Sequence, residues 1–327
     1  MALLDIIITH HKEAWRDCRK MFEMLRLQRG VKPEDFRVIL VQDGEDEALD
    51  MVRLLKVYPF VGLVVSQPAA GVSEARNAGL AAADAEWVMF CDCDDTLYSV
   101  DSLFRILESI REAGDRADLL WSDFWIEMKT PDGRFVKTLK GWNSVFIHGK
   151  AYRRTFLEDR GIRFDPELNY SEDAMFNAVV AMETDVKRVA KMPETVYMWC
   201  YRDGSLSNYT GGDGRRNLDL YKKRLKTIYE YEKRGLNYDA DTAAVRTLLD
   251  YYWELNGQEN CPGRTREEWI RRLREDVIRR RPGCLEKISQ RDRTELMRIT
   301  REEAKGKRLI REGMPAPEDW MREIGAI

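Results

Sequence analysis

Nowhere in its 327 residues does the chain hold an apolar run near the roughly 18 residues that a membrane-spanning helix needs. It has only three histidines, and the adjacent pair His10–His11 lacks a cysteine or histidine partner at zinc-ligand spacing, so no zinc site is expected. Six cysteines without a Cys-x-x-Cys pair exclude a disulfide framework and suit reduced thiols in a cytoplasm. The start, Met1 to Asp5, lacks a basic n-region and a small-residue cleavage site, so the expectation is a soluble, cytoplasmic protein. Neither sign of charge dominates: 54 basic and 57 acidic residues leave a net charge of −3, which excludes a strongly basic nucleic-acid binder for the chain as a whole. There is no internal repeat and no low-complexity segment. Hydrophobic residues are not scarce: at 44% they supply an ordinary core and exclude disorder throughout.

The first half alternates strands and helices. Leu3 to Thr9, Arg37 to Gln42, Val61 to Ser66, Trp87 to Cys91 and Leu119 to Ile126 are short runs rich in Val, Ile and aromatic residues, the mark of buried strands. Between them, Trp15, Cys18, Phe22 and Leu25 fall on one helical face, as do Leu103, Leu107 and Ile110. This order predicts an α/β fold with a mainly parallel sheet flanked by helices and ligands at the carboxyl ends of its strands. The second half reads as charged amphipathic helices over 215–234, 240–256, 265–281 and 289–306, broken at Gly235, Pro262-Gly263 and Pro282-Gly283. The expected organisation is a catalytic domain over 1–212 and a helical, locally basic domain over 213–327. From Arg264 to Arg311 there are 17 Lys/Arg against 9 Asp/Glu. That excess is either a solvated helical surface or a docking face for an anionic acceptor or a membrane.

Gly71 to Leu97 carries the chemistry. A helix from Val72 to Ala83 leads into a buried strand that ends in Asp92-Cys93-Asp94-Asp95. Three carboxylates within four residues repel one another, and burial without a cation raises their pKa values. A hard divalent ion, Mn²⁺ or Mg²⁺, resolves the conflict through oxygen ligands and keeps positions open for a substrate's phosphates. Without one, the triplet is an acidic loop or a helix cap. Cys91 and Cys93 alternate away from the carboxylates and are expected in the core. Tyr197, Trp199 and Tyr201 share one strand face, and core packing is the simpler account of them.

Asp92-x-Asp94-x-Thr96 also fits the haloacid-dehalogenase phosphatases, but the further acidic motif that fold needs falls only on Gly212-Asp213, after a polar stretch. A closer likeness covers about residues 3–210. Gly71, Ser73, Ala75, Arg76, Asn77, Gly79 and then Asp92, Asp94 and Asp95 match, position by position, the pattern of the family 2 glycosyltransferases, which have a GT-A fold. Val41-Gln42-Asp43-Gly44, Glu172-Asp173, the stretch around His148, and Tyr201-Arg202-Asp-Gly204-Ser205 resemble further elements of that family in the right order. Two departures stand out: Thr9-His10-His11-Lys12 replaces the usual end of the first strand, and Gln42 replaces the first aspartate of an Asp-Asp-Gly.

The resemblance implies a metal-dependent, inverting transferase that moves a sugar from a nucleotide-sugar, most simply a UDP-sugar, to an acceptor hydroxyl. It implies Asp173 as catalytic base, Asp94 and Asp92 as metal ligands, and Thr9, His11, Asp43, Arg76, Asp92, Asp95, Arg202 and Ser205 on the donor. Glu172 and His148 fall on the acceptor side, with His148 open to a metal role. Arg76 is open to bracing the carboxylates instead. The acceptor expected from the basic helices is a cell-surface glycan precursor or another polyanion, with hydroxymethylated DNA as an alternative. A non-catalytic nucleotide-sugar binder, peripheral membrane contact and self-association are further readings.

Overall fold

The structure, a computed structural model, describes residues 2–44, 51–143, 145–168, 170–205, 215–257 and 265–326. The chain divides into two compact units, Met1–Tyr209 and Thr210–Ile327. The boundary expected between 212 and 213 lies outside the described residues.

In the first unit, the expected strands form as β1 (Leu4–His10), β2 (Phe36–Asp43), β3 (Val61–Gln67) and β4 (Trp87–Asp92). Helices α1 (Trp15–Arg26), α2 (Met51–Val57) and α3 (Val72–Ala82) connect them. The four strands pair in parallel, with β1 between β4 and β2. Asp5 interrupts an apolar strand because Arg37 meets its carboxylate with two hydrogen bonds of 2.8 Å and the amides of Asp84 and Ala85 donate to it. After β4 come β5 (Thr96–Leu97) and α4 (Ser102–Ala113).

The run from Leu119 to Ile126 is not one strand. It divides at Ser122-Asp123 into β6 (Leu119–Trp121) and β7 (Phe124–Lys129), which enter different sheets. Two further strands carry no apolar run: β8 (Phe135–Lys140), an exposed hairpin partner of β7, and β9 (Lys150–Arg153). Then follow α5 (Arg154–Asp159), α6 (Glu172–Glu183), β10 (Val189–Lys191) and β11 (Tyr197–Trp199). The larger sheet has the order β10-β6-β9-β4-β1-β2-β3, with β9 antiparallel to both neighbours. The smaller sheet is β5-β11-β7-β8. Core side chains fill both faces of the large sheet: Leu4, Ile6, Ile8, Leu40 and Trp87 on one, Ile7, Ile39, Val88 and Phe90 on the other. The open end of this arrangement is the carboxyl edge of β1, β2 and β4, where ligands of such sheets bind.

The second unit is helical among the described residues: α7 (Arg215–Lys233), α8 (Ala240–Gly257), α9 (Arg266–Leu273) running into a π turn, α10 (Cys284–Lys287), α11 (Gln290–Gly306) and α12 (Pro317–Glu323). Helix α8 lies at its centre, burying Leu248, Leu249, Tyr252 and Trp253 against Trp269, Leu273, Trp320 and Ile324. Part of the basic excess is spent inside the unit: Arg274 donates to the carbonyls of Glu323 and Ile324, and Arg281 pairs with Glu232 and Asp241. No helix among the described residues is long and apolar enough to cross a membrane.

Candidate active site

Helix α3 explains the motif that opens the site. Gly71, at φ 96°, sits where an L side chain is strained, and its amide with that of Ala70 donates to the Asp43 carboxylate at 2.9 and 2.8 Å. One turn further on, Ser73, Arg76 and Asn77 reach the segment that carries Glu172 and Asp173. Ser73 donates to the Leu168 carbonyl at 2.7 Å, and Asn77 exchanges two hydrogen bonds with the Phe164 backbone. On the opposite side, Gly79 lies flat on the sheet. A Cβ there would stand 2.3 Å from Ile7 Cγ2 and 3.1 Å from Val41 Cγ2, so only glycine allows this approach.

Arg76 gathers the acids. From a buried position one terminal nitrogen donates to Glu172 at 2.9 Å and Asp173 at 2.7 Å, and the other donates to Asp92 at 2.9 Å. Burial works against its charge, but Asp173, Asp92 and Glu172 outweigh burial and raise its pKa. Both terminal nitrogens are taken by carboxylates, which makes Arg76 a brace between the end of β4 and the start of α6. Ser171, at φ 63°, turns the chain sharply before α6, and Glu172 and Asp173 form that helix's first turn. Asp173 also receives the Ile147 amide at 3.4 Å. Burial, then the neighbouring Asp173 charge, push the Glu172 carboxyl up to about 8.

The acidic triplet divides three ways. Asp92 is partly exposed; burial disfavours its charge, but Arg76 prevails and holds its carboxyl below the usual range. Asp95 is fully buried and accepts from the Tyr197 hydroxyl at 2.7 Å and the Cys200 amide at 2.8 Å; burial and its two sister aspartates push it well up. Asp94, raised by burial and by Asp92, pairs with Arg202 at 2.5 Å, and Arg202 also lies 3.5 Å from Glu13. One ligand atom each from Asp92, Asp95 and His148 lie within 4.8 Å of one another. His148 is stacked on Tyr197 at 4.9 Å and 12°, and burial keeps its imidazole neutral to lower pH than usual. Its Nδ1, 3.9 Å from Asp95, has no hydrogen-bond partner among the described residues. A buried, unpartnered imidazole nitrogen beside one ionised carboxylate, Asp92, and one that resists ionisation, Asp95, is a donor set that suits a divalent cation.

The remaining expected residues form a wall at the ends of β1 and β2. Thr9 pairs with Asp92 across the β1–β4 ladder. His11 is half-exposed and hydrogen-bonds the Asp43 carbonyl at 2.6 Å. The Asp43 carboxylate, already meeting Gln67, Ala70 and Gly71, holds this wall together. Ser205 has a buried hydroxyl oxygen without a hydrogen-bond partner among the described residues.

Three supporting residues escape a local reading of the sequence. Tyr197 is more than core packing, because its hydroxyl holds Asp95. Asn177 donates to the Asp173 and Val145 carbonyls and accepts from Tyr152 at 2.9 Å. Lys150, buried and pushed down to about 8 by that burial, donates to the Asn143 carbonyl at 2.8 Å and to the Phe146 carbonyl, so it pins the loop that precedes His148. The i+4 step from Asp173 to Asn177 could have flagged Asn177, and Lys150 lies in the stretch around His148 that resembles a family element; nothing local marks the role of Tyr197. Cys91 and Cys93 do lie in the core, Cys93 with its sulfur 3.3 Å from that of Cys18.

Comparison with known proteins agrees with this geometry. Residues 5–162 match the family model described as glycosyl transferase family 2. The glycosyltransferase YibD of Escherichia coli is 26% identical over 261 residues, 72% of each chain. TarS of Staphylococcus aureus, a poly(ribitol-phosphate) β-N-acetylglucosaminyltransferase, is 28% identical over 183 residues, 50% of this chain and 30% of that one. The crystal structure of TarS residues 1–349 with UDP-GlcNAc superposes with a TM-score of 0.62 at 19% identity, covering 96% of this chain and 98% of that one. A Pyrobaculum calidifontis mannosyltransferase bound to GDP-Man and Mn²⁺ superposes at 0.52 with 17% identity, covering 94% and 87%. The fold is GT-A, as the motifs implied.

Proposed function

Residues 5–162 make this chain a glycosyltransferase of family 2, and on that premise we propose that it transfers a sugar from a UDP-sugar to a hydroxyl of an anionic cell-surface glycan, inverting the anomeric centre, with Mn²⁺ or Mg²⁺ at the donor. One observation carries the reading: a single buried guanidinium, Arg76, holds Asp173 and Asp92 at 2.7 and 2.9 Å, so a base and an ion-binding carboxylate share one site. The UDP-GlcNAc complex of TarS supports the donor class, and its poly(ribitol-phosphate) acceptor supports the anionic acceptor. The Mn²⁺ complex of the mannosyltransferase supports the metal.

In this mechanism Asp173 accepts the proton of the acceptor hydroxyl as it attacks, and the helix end beneath it favours its negative charge beforehand. Arg76 and the Ile147 amide fix the orientation of that carboxylate. Asp92 is common to two candidate ligand sets, the pair with Asp94 that the sequence motif implies and the trio with Asp95 and His148. Bound there, a divalent ion would stabilise the charge that develops on the diphosphate leaving group. Arg202 and Ser205 face that diphosphate, while Thr9, His11 and the wall braced by Asp43 take the nucleoside. Glu172, largely protonated at neutral pH, lowers the repulsion around Asp173 on the acceptor side.

The test is UDP-GlcNAc turnover with Mn²⁺, with and without added glycan. Asp173→Asn keeps the shape and should bind donor with unchanged affinity while kcat falls about 10²–10⁴-fold. A loss confined to donor affinity would remove Asp173 from the base role.

A further inference from the structure

Lys150 opens β9 and is only 2% exposed, yet its ammonium forms no ion pair among the described residues. Its partners are neutral oxygens: the Asn143 carbonyl at 2.8 Å, the Phe146 carbonyl, and the Asn177 side-chain oxygen at 3.4 Å. The Trp142 ring lies 5.4 Å away on a further side. Burying an ammonium strips its hydration, and a methionine of similar length would fill the space without that loss. What the charge adds is a fixed meeting point for three oxygens that would otherwise repel one another.

Two of these oxygens lead to Asp173. The Phe146 carbonyl belongs to the same planar peptide group as the Ile147 amide, which donates to Asp173 Oδ2 at 3.4 Å. The ammonium holds one side of that plane and the carboxylate meets the other. A charge on the carbonyl also polarises the group and strengthens its N–H as a donor. Asn177 is the second route: its side chain donates to the Asp173 carbonyl at 3.0 Å and to the Val145 carbonyl at 3.2 Å. It ties the first turn of α6 to the same segment. The other carboxylate oxygen, Oδ1, is held by Arg76 at 2.7 Å. Arg76 thus fixes one oxygen of Asp173, and the Lys150 assembly fixes the other.

We infer that Lys150 is a positioning residue for the transfer reaction, its ammonium aiming Asp173 Oδ2, through the Phe146–Ile147 peptide and Asn177, at the hydroxyl that loses its proton. The inference rests on the proposed role of Asp173 as base. Its effect belongs in kcat, because a carboxylate turned away from the hydroxyl leaves donor binding intact and accepts the proton less often.

The experiment uses the full chain with UDP-GlcNAc and Mn²⁺, reading UDP release to water as turnover and donor affinity by calorimetry. Lys150→Ala should lower kcat about 10- to 100-fold with donor affinity unchanged. Propylammonium replaces the deleted atoms and should restore turnover in a saturable way; tetramethylammonium, a cation without N–H donors, should not. Lys150→Met, which keeps the length and drops the charge, should stay slow with either cation. Asn177→Ala cuts the second route and leaves Lys150 on the two carbonyls. It should also lower kcat alone, and it decides the matter if Lys150→Ala does not fold. Turnover at the wild-type rate, a loss confined to donor affinity, or a slow Lys150→Ala that propylammonium does not restore overturns the inference. Hydrogen exchange is read on the same variants without donor or metal. The Ile147 amide should exchange faster in Lys150→Ala and slow again with propylammonium; unchanged exchange overturns the inference whatever the donor proves to be. Asp173→Asn is run alongside. Wild-type turnover in that variant counts against the proposed function, whereas a slow Asp173→Asn beside a fast Lys150→Ala counts against Lys150 alone.

Discussion

At the scale of single residues, the site is a problem of crowded negative charge answered by two arginines, Arg76 on Asp92, Glu172 and Asp173 and Arg202 on Asp94. Glu172 bears the remainder: burial and Asp173 lift its carboxyl to about 8, against 4.5 for the free group. A carboxyl with a raised folded pKa binds its proton more tightly in the native state. Its contribution to stability is therefore complete below about 4.5 and is lost as pH rises through about 8. Glu172→Gln fixes the neutral form. In EDTA its thermal midpoint should match wild type near pH 4.5, and the variant should become the more stable of the two as pH rises, levelling off above about 8. A constant difference across that range would mean that Glu172 does not titrate there. The two metal ligand sets separate in the same way. If the ion sits on the trio, His148→Ala should raise the Mn²⁺ needed for half-maximal activity by about tenfold or more, and Asp94→Ala should mainly weaken donor binding through Arg202; if it sits on the Asp92–Asp94 pair, the two effects exchange. Asp43, Arg76, Asp92, Asp94, Asp95 and Asp173 stand out in the sequence because each lies in a short motif. Tyr197 does not, because it acts on Asp95, 102 residues away in the chain, and no local pattern records such a pairing.

At the scale of elements, α3 is the piece on which the site hangs. One face stitches through Ser73, Arg76 and Asn77 to the segment that bears Asp173, and the other rests through Gly79 on β1 and β2. Gly79→Ala drives a methyl into Ile7 and should cost about 1–3 kcal/mol in chemical denaturation. It should also lower kcat, since α3 must lift and carry Arg76 with it. Denaturation unchanged from wild type would show that the sheet yields at no cost. The strands of the parallel core were legible because they are buried on both faces and read as continuous apolar runs. The other elements were less so. Strand β8 is exposed along nearly its whole length, and β9 begins and ends on the charged residues Lys150 and Arg153, so neither shows an apolar pattern. The apolar run that became β6 and β7 looked like one strand because a change of sheet at Ser122-Asp123 leaves hydrophobicity almost untouched.

At the scale of the whole molecule, two units each close their own core, and this decides where the chain can be cut. Removing residues 264–327 would strip Trp269, Leu273, Trp320, Met321 and Ile324 from around α8 and leave Leu248, Tyr252 and Trp253 facing water. A 1–263 fragment should therefore bind the dye ANS and melt without a cooperative transition. A 1–209 fragment keeps the entire first core and should melt cooperatively and hydrolyse donor at the rate of the full chain. A 1–263 fragment that melts sharply without binding dye would show that α7 and α8 need no covering. The helices of this unit were legible from their periodicity. The use of their charge was not, because pairing such as Arg281 with Glu232 and Asp241 depends on how the helices pack.

The partners of Asp95 also set a timetable. Strands β1 to β4 pair with one another wholly within the first 92 residues, so the parallel core can form while later residues are still being added. Asp95 waits longer, since its two donors, Tyr197 and Cys200, follow it by 102 and 105 residues. Until they arrive, its carboxylate is better left in water than buried. On a ribosome, the acidic cluster after β4 is finished only after the chain has passed residue 200, and a chain stalled before that point carries a formed sheet with an open end.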